Sequence, residues 1–324
     1  MGHEAATGRE VQGMEHREIL EQVEAKGLNR RDFIKLSTMV TSVLGLAPSM
    51  IPKVAEAMVA KKRPTVIWLH FAECTGCSEA FIRSTYPWID ELVLEILNVA
   101  YHETIMAPSG EAAEKTLHEA IKEYKGRYLL VCEGAIPTKD GGVYGRIGGR
   151  TMLEIAKEAT SHALATICVG TCACFGGVQA AAPNPTKAKG VGEATGVKTI
   201  NISGCPPNVI NMVATVVHYL LLGKLPKLDD NGRPLFAYGQ LIHDNCPRRG
   251  HYEAQEFVKK FGDEGAKKGW CLYEMGCKGP ETYNNCSLVL FNDGTNWPIG
   301  AGHPCIGCSE PDFWDNSAPF YEPL

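Results

Sequence analysis

Cys74, Cys77, Cys172 and Cys205 each stand just past a short apolar run, in the stretches that begin at Thr65, Ala165 and Lys198. Such runs, rich in β-branched residues and closed by glycine or proline, read as buried parallel strands. In an open α/β sheet the carboxyl ends of the strands share one edge, so four thiols far apart in sequence can meet there. Four thiolates suit zinc or an iron–sulfur cluster. Gly76, Gly170 and Gly204 let the backbone turn tightly beside a bulky ligand, and Pro206-Pro207 stops its strand and fixes the turn. Taken alone, Cys74-x-x-Cys77 is equally a redox dithiol or half a metal site. The plainer alternative is cysteine packed as a small hydrophobe, and it suits Cys132 and Cys168, which sit inside strands. Cys174 is ambiguous, two residues past Cys172 and able to compete for the same metal. Position favours Cys172.

A second set follows within 66 residues: His243, Cys246, Cys271, Cys277, Cys286, Cys305 and Cys308. Six cysteines could form three disulfides and staple a small, loop-rich domain. The close spacing of Cys305 and Cys308 suits a shared metal better. Zinc could take His243, Cys246, Cys271 and Cys277, which leaves Cys286, Cys305 and Cys308. Three thiolates without a fourth fit a 3Fe–4S cluster better than zinc.

From Pro64 to about Lys227, strands alternate with helices, the pattern of a flavodoxin-like, doubly wound parallel sheet. Helices are expected over Glu79–Leu97, Glu111–Tyr124, Met152–His162 and Asn208–Leu222, the last largely apolar and read as core. Further strands are expected near Asn98–Thr104 and at Tyr128–Gly134. Beyond Leu228 the alternation fades and Cys, Gly, Pro and Asn rise. The expected division is therefore residues 58–228 as the sheet domain and 229–324 as a loop-rich metal domain.

Residues 1–57 read as an export leader: Arg30-Arg31-Asp32-Phe33, a mild apolar run from Leu36 to Ala47, then Ala55-Glu56-Ala57 as a cleavage site. The run is too short to span a bilayer, which takes roughly 20 residues. The twin-arginine route carries folded proteins, so an exported, cysteine-rich chain need not be a disulfide framework. The net charge of −5 and the lack of a basic stripe exclude a nucleic-acid binder. An exported disulfide-rich binding protein, or a different oxidoreductase sharing only the first domain, are the rival classes.

The motifs resemble one family, the small subunits of periplasmic nickel–iron hydrogenases of the sulfate-reducer type. They are Arg-Arg-Asp-Phe-Ile-Lys (30–35), Ala-Glu-Cys-Thr-Gly-Cys (72–77), Val-Gly-Thr-Cys-Ala (169–173), Gly-Cys-Pro-Pro-Asn (204–208), His-Asp-Asn-Cys-Pro-Arg (243–248), Cys-Leu-Tyr-Glu-Met-Gly-Cys-Lys-Gly-Pro (271–280), Thr-Tyr-Asn-Asn-Cys (282–286), Asn-Trp-Pro (296–298) and Gly-His-Pro-Cys-Ile-Gly-Cys-Ser-Glu-Pro (302–311). The resemblance implies a proximal 4Fe–4S cluster on Cys74, Cys77, Cys172 and Cys205, and a medial 3Fe–4S cluster on Cys286, Cys305 and Cys308, with Pro298 where a fourth thiolate would stand. A distal 4Fe–4S cluster is implied on His243, Cys246, Cys271 and Cys277, and Cys174 is implied to be no ligand. It further implies a relay of electrons between the nickel–iron site of a large subunit and a multihaem c-type cytochrome. Oxygen-tolerant members have extra cysteines where this chain has Gly76 and Gly177, so an oxygen-sensitive enzyme is expected. Membrane-bound members continue into a transmembrane helix, whereas this chain stops 16 residues after Cys308. The expected location is therefore the periplasm, without a membrane anchor. Glu73 and Glu79, beside the first Cys pair, are expected to be solvated or capping carboxylates.

Overall fold

The computed structural model describes residues 16–59, 63–84, 88–292 and 294–323. The first 15 residues of the expected leader lie outside them.

Five parallel strands form the central sheet: β1 Thr65–His70, β2 Asn98–His102, β3 Tyr128–Glu133, β4 Ala165–Val169 and β5 Thr199–Ile202. Their order is β2-β1-β3-β4-β5, the flavodoxin-like arrangement the alternation predicted. β3 is buried along its whole length, as a parallel strand covered on both faces must be. Three helices precede the sheet: α1 His16–Ala25, α2 Arg30–Val43 and α3 Ile51–Val59. The other principal helices are α4 Gly76–Ile82, α5 Glu111–Glu123, α6 Met152–His162, α7 Gly170–Phe175 and α8 Val209–Leu222. Thr151 caps α6, its hydroxyl accepting from Glu154 N–H while the Glu154 carboxylate accepts from Thr151 N–H.

Two apolar cores flank the sheet. One joins Ile67, Leu69, Leu130 and Cys132 to α5 and α6. The other joins Trp68, Val131 and Ile202 to α8 and to the amino-terminal helices α2 and α3. Leu36, Val40, Val54 and Val59 are fully buried there, so the apolar run expected in a leader lies folded against the sheet domain.

Two segments differ from the expected pattern. The single helix expected over Glu79–Leu97 is broken: α4 ends at Ile82 and helical turns resume only at Ile89. Pro87 lies between, and a proline disfavours helix in the residue before it. The segment after β4 is not an extended exit but the short helix α7.

Beyond residue 228 the chain runs in turns. Among the described residues its longest helix, Arg249–Glu253, has five residues. A small core gathers Ile242, Val258, Leu272, Met275, Trp297 and Ile299 with Cys277 and Cys286. Buried Arg233 pairs with Asp229 and Glu310 at 2.8 Å each, and Asn201 N–H of β5 donates to Gly232 O at 2.8 Å, tying this part to the sheet. Among the described residues no helix is long and apolar enough to cross a membrane.

Candidate iron–sulfur sites

The edge beyond β1, β4 and β5 carries Cys74, Cys77, Cys172 and Cys205, as the strand pattern predicts. Cys77 and Cys172 stand in the first turns of α4 and α7, and Cys74 and Cys205 in the turns outside them. Cys74 and Cys205 are exposed, while Cys77 and Cys172 are partly covered. Thr75 enters α4 with φ +63°, a left-handed conformation that non-glycine residues seldom adopt and that concentrates at functional turns. Burial, then the charges of Glu133 and of Cys172, Cys205 and Cys74, hold the Cys77 thiol well above its ordinary range. Burial, then Cys205, pushes Cys172 up to about 11. Burial, then Cys74, raises Cys205. The four thiols thus form one electrostatic group, and a cation placed among them would displace their protons.

The surroundings leave room for such a group only because two positions lack a side chain. A Cβ on Gly170, where φ is +84°, would collide with Cys77 Sγ. One on Gly177, at φ +62°, would collide with Cys172 Sγ.

Beneath the Cys77 turn lies Glu133, the last residue of β3 and 1% exposed. Its carboxylate accepts from Cys77 N–H at 2.9 Å, Ser78 N–H at 3.1 Å, Ser78 Oγ–H at 2.6 Å and Trp68 Nε1–H at 3.3 Å. His70 Nε2 stands 2.9 Å from the same Ser78 hydroxyl. Sequence reasoning missed Glu133; the signal was a lone acid closing an otherwise apolar strand. The two acids beside the first Cys pair diverge. Glu79 is solvated and 3.7 Å from Arg83, whereas burial, then Glu133, raises Glu73 above the usual carboxylate range.

Cys132 and Cys168 lie fully buried on adjacent strands. Cys174 is turned inward, its thiol donating to Cys168 O at 3.5 Å, and so packs in the core beneath the sheet edge.

Cys286, Cys305 and Cys308 line a cavity of about 800 Å³ together with Trp297, Pro298 and Cys205. Burial, then Cys308 and Cys305, holds Cys286 well above its ordinary range. Cys308 is pushed to about 11 by burial and interacts with the backbone and charge of Cys205. Cys305 is raised by burial, then by Cys277. Thr171 joins the first site to this one: it exchanges N–H···O bonds with Gly204 at 2.9 Å and its hydroxyl donates to Cys308 O.

His243, Cys246, Cys271 and Cys277 line a separate small cavity with Arg248 and Ile299. The His243 ring packs edge-on against Tyr252, centroids 4.7 Å apart. Burial, then Arg249, lowers its affinity for a proton, which favours the neutral imidazole that metals bind. Burial is the main cause raising Cys246, Cys271 and Cys277.

Among the described residues no three His, Cys, Asp or Glu side chains are grouped as donors to a single metal ion.

Comparison with known proteins identifies the family. Residues 238–321 match the family model for the C-terminal part of NiFe/NiFeSe hydrogenase small subunits. Residues 74–219 match that of the NADH ubiquinone oxidoreductase 20 Kd subunit. The periplasmic [NiFe] hydrogenase small subunit of Solidesulfovibrio fructosivorans is 60% identical over 296 residues, 91% of this chain and 93% of that one. The chain belongs to the nickel–iron hydrogenase small-subunit family. The hydrogenase-2 small chain of Escherichia coli K12 is 48% identical over 290 residues, covering 89% and 78% of the two chains. Among solved structures, the [NiFeSe] hydrogenase of Desulfomicrobium baculatum superposes with a TM-score of 0.76 at 37% identity, over 81% of this chain and all of that one. The family models fall on either side of residue 228, one on the sheet and one on the loop-rich part.

Proposed function

We propose that this small subunit holds three iron–sulfur clusters and conducts electrons for a large subunit that carries the nickel–iron centre. Cys74, Cys77, Cys172 and Cys205 hold a 4Fe–4S cluster next to the large subunit. Cys286, Cys305 and Cys308 hold a 3Fe–4S cluster. His243, Cys246, Cys271 and Cys277 hold a second 4Fe–4S cluster, and a multihaem c-type cytochrome docks at that end. When bound, these clusters supply single-electron transfer between the hydrogen-splitting centre and the acceptor.

The observation that carries this reading is the order of the thiols. Cys308 lines one cavity with Cys205 of the first set, and Cys305 O accepts at 2.8 Å from the N–H of Lys278, next to Cys277 of the last. The middle set therefore stands between the other two, as a relay requires.

The chain's own residues do the rest. Cys77, Cys172, Cys286, Cys305 and Cys308 give up protons that burial otherwise holds on them, so cluster insertion releases acid. Gly170 and Gly177 leave the volume a cluster fills, and His243 brings a neutral donor where all others are anionic, which shifts the balance of charge there. Pro298 offers no ligand beside Cys286, Cys305 and Cys308. Glycine at 76 and 177, with no extra thiols, suits an oxygen-sensitive enzyme. The twin arginines and the apolar stretch of α2 suit export to the periplasm in the folded state.

Purified with its large subunit, the chain should contain about eleven iron atoms in these clusters and show a 3Fe–4S signal in an electron paramagnetic resonance titration. Zinc alone, or no such signal at any potential, would overturn the assignment.

A further inference from the structure

Lys278, the residue after Cys277, is only 6% exposed. An ammonium taken out of water is costly unless a negative group compensates it. Lys278 Nζ donates to Glu322 O at 2.8 Å, and among the described residues no carboxylate forms an ion pair with it. One neutral carbonyl satisfies one of its three donors and leaves the charge uncompensated.

The residue stands where two donor sets meet. Its N–H donates to Cys305 O at 2.8 Å, and its own carbonyl accepts from the Thr282 hydroxyl at 2.6 Å. The Cys305 thiol reaches that same hydroxyl at 3.8 Å. Lys278 is thus joined to Cys277 of the last set by the chain and to Cys305 of the middle set by a hydrogen bond. Burial raises the Cys277 thiol, and the Lys278 charge is among the influences that oppose the rise. Arg248 is also positive and close by, but it lines the cavity of the last set and is partly exposed.

The end of the chain holds the ammonium in place. Tyr321 and Glu322 lie against Gly276, where a Cβ would stand 2.7 Å from the Glu322 backbone. Tyr321 is anchored by His303: its hydroxyl lies 3.1 Å from His303 Nε2, and the two rings meet edge-on with centroids 5.5 Å apart. The Glu322 carbonyl is thereby aimed at Lys278, and the charge stays at the junction.

We propose that Lys278 is the counter-charge for the clusters on either side of it, and that it raises the potentials of the middle and last clusters relative to the first. This rests on the functional reading above, in which those two donor sets hold clusters. A cluster held by thiolates is anionic, and gaining an electron adds to its negative charge. A cation fixed beside it, away from water, favours the reduced form. Lys278 acts on both ends of one hop, so it draws electrons off the first cluster without making a trap of either of the other two.

The experiment is an electron paramagnetic resonance redox titration of the purified complex with its large subunit, comparing the natural chain with Lys278→Gln. Glutamine keeps a donor for Glu322 O and removes the charge. The middle and last clusters should each hold their electron about tenfold less tightly or more, a fall of about 59 mV for a one-electron couple, while the first is unmoved. Unchanged midpoints, or an equal fall in all three, would overturn this proposal and leave the functional reading standing. No 3Fe–4S signal from the natural complex would overturn both. Lys278→Arg retains the charge and should keep both electron affinities within about twofold of the natural values. A fall as large as that in Lys278→Gln would show that shape rather than charge matters and would overturn the proposal. Should Lys278→Gln assemble without these clusters, Lys278→Met, uncharged and of similar length, carries the same expectation.

Discussion

A five-stranded sheet sets Cys74, Cys77, Cys172 and Cys205, whereas turns of five residues or fewer set the seven donors from His243 onwards. The first site borders two apolar cores that contain none of its exposed thiols. The small core of the loop-rich part includes Cys277 and Cys286 themselves. On the proposed function, one region folds before it binds, while the other needs its metals as part of what holds it together. Perturbing each region in turn separates the two behaviours.

The largest effect should come from stripping iron. Exchange protection should collapse over residues 229–323 and survive in β1, β3 and β4; uniform loss or uniform retention would erase the distinction between the regions. Next, Cys277→Ser should lower hydrogen-driven reduction of an external cytochrome at least tenfold, an effect of about 1.4 kcal/mol or more on the barrier. Hydrogen–deuterium exchange catalysed by the large subunit should persist, since the site on the sheet is untouched. A parallel fall in both activities would place the relay elsewhere.

Gly177→Ala tests the sheet site from the other side. Its Cβ would collide with Cys172 Sγ on a backbone of φ +62°, so the cost should be roughly 1–3 kcal/mol. About four irons of eleven should be lost, with the other clusters' spectra unchanged. Glu133→Gln should be milder. It turns an acceptor into a donor facing the Cys77 and Ser78 amides, and should lower the melting temperature by an amount equivalent to about 1–3 kcal/mol. A shifted midpoint potential of the first cluster alone would locate the effect at that turn.

The smallest effect concerns pH. In the metal-free chain Cys172 is raised from an ordinary 9.0 to about 11. A thiol raised on folding stabilises the fold below its unfolded value and loses that contribution as pH rises through the folded one. Urea unfolding of the metal-free sheet domain should therefore weaken between pH 9.0 and about 11. The loaded protein, whose thiols have already lost their protons, should show no such step.

The strand-end cysteines were legible because the parallel sheet rule turns sequence position into a shared edge. Cys174 was legible in principle. Residues two apart on a helix point about 200° apart, but Ala165–Cys172 reads as a strand and its exit, and helical spacing has no bearing on such a stretch. Glu133 is marked in the sequence only as a lone acid closing an apolar strand; its role could not be read, because the amides that explain a buried carboxylate come from 55 or 56 residues away. The apolar stretch of α2 reads as a leader, and its resting place on α8 is not visible in it, since periodicity gives the face a helix buries but not what it buries against.

Thr171 exchanges bonds with Gly204 on one side and reaches the Cys308 carbonyl on the other. This side chain thus spans the seam between the two regions beside Cys205 and Cys308, which line one cavity. Electron passage across a gap depends steeply on its width, so thermal breathing of one region against the other would ordinarily make the hop erratic. On the proposed relay, Thr171, with Ser203 Oγ donating to Ser309 O at 2.7 Å beside it, would hold that gap at one width.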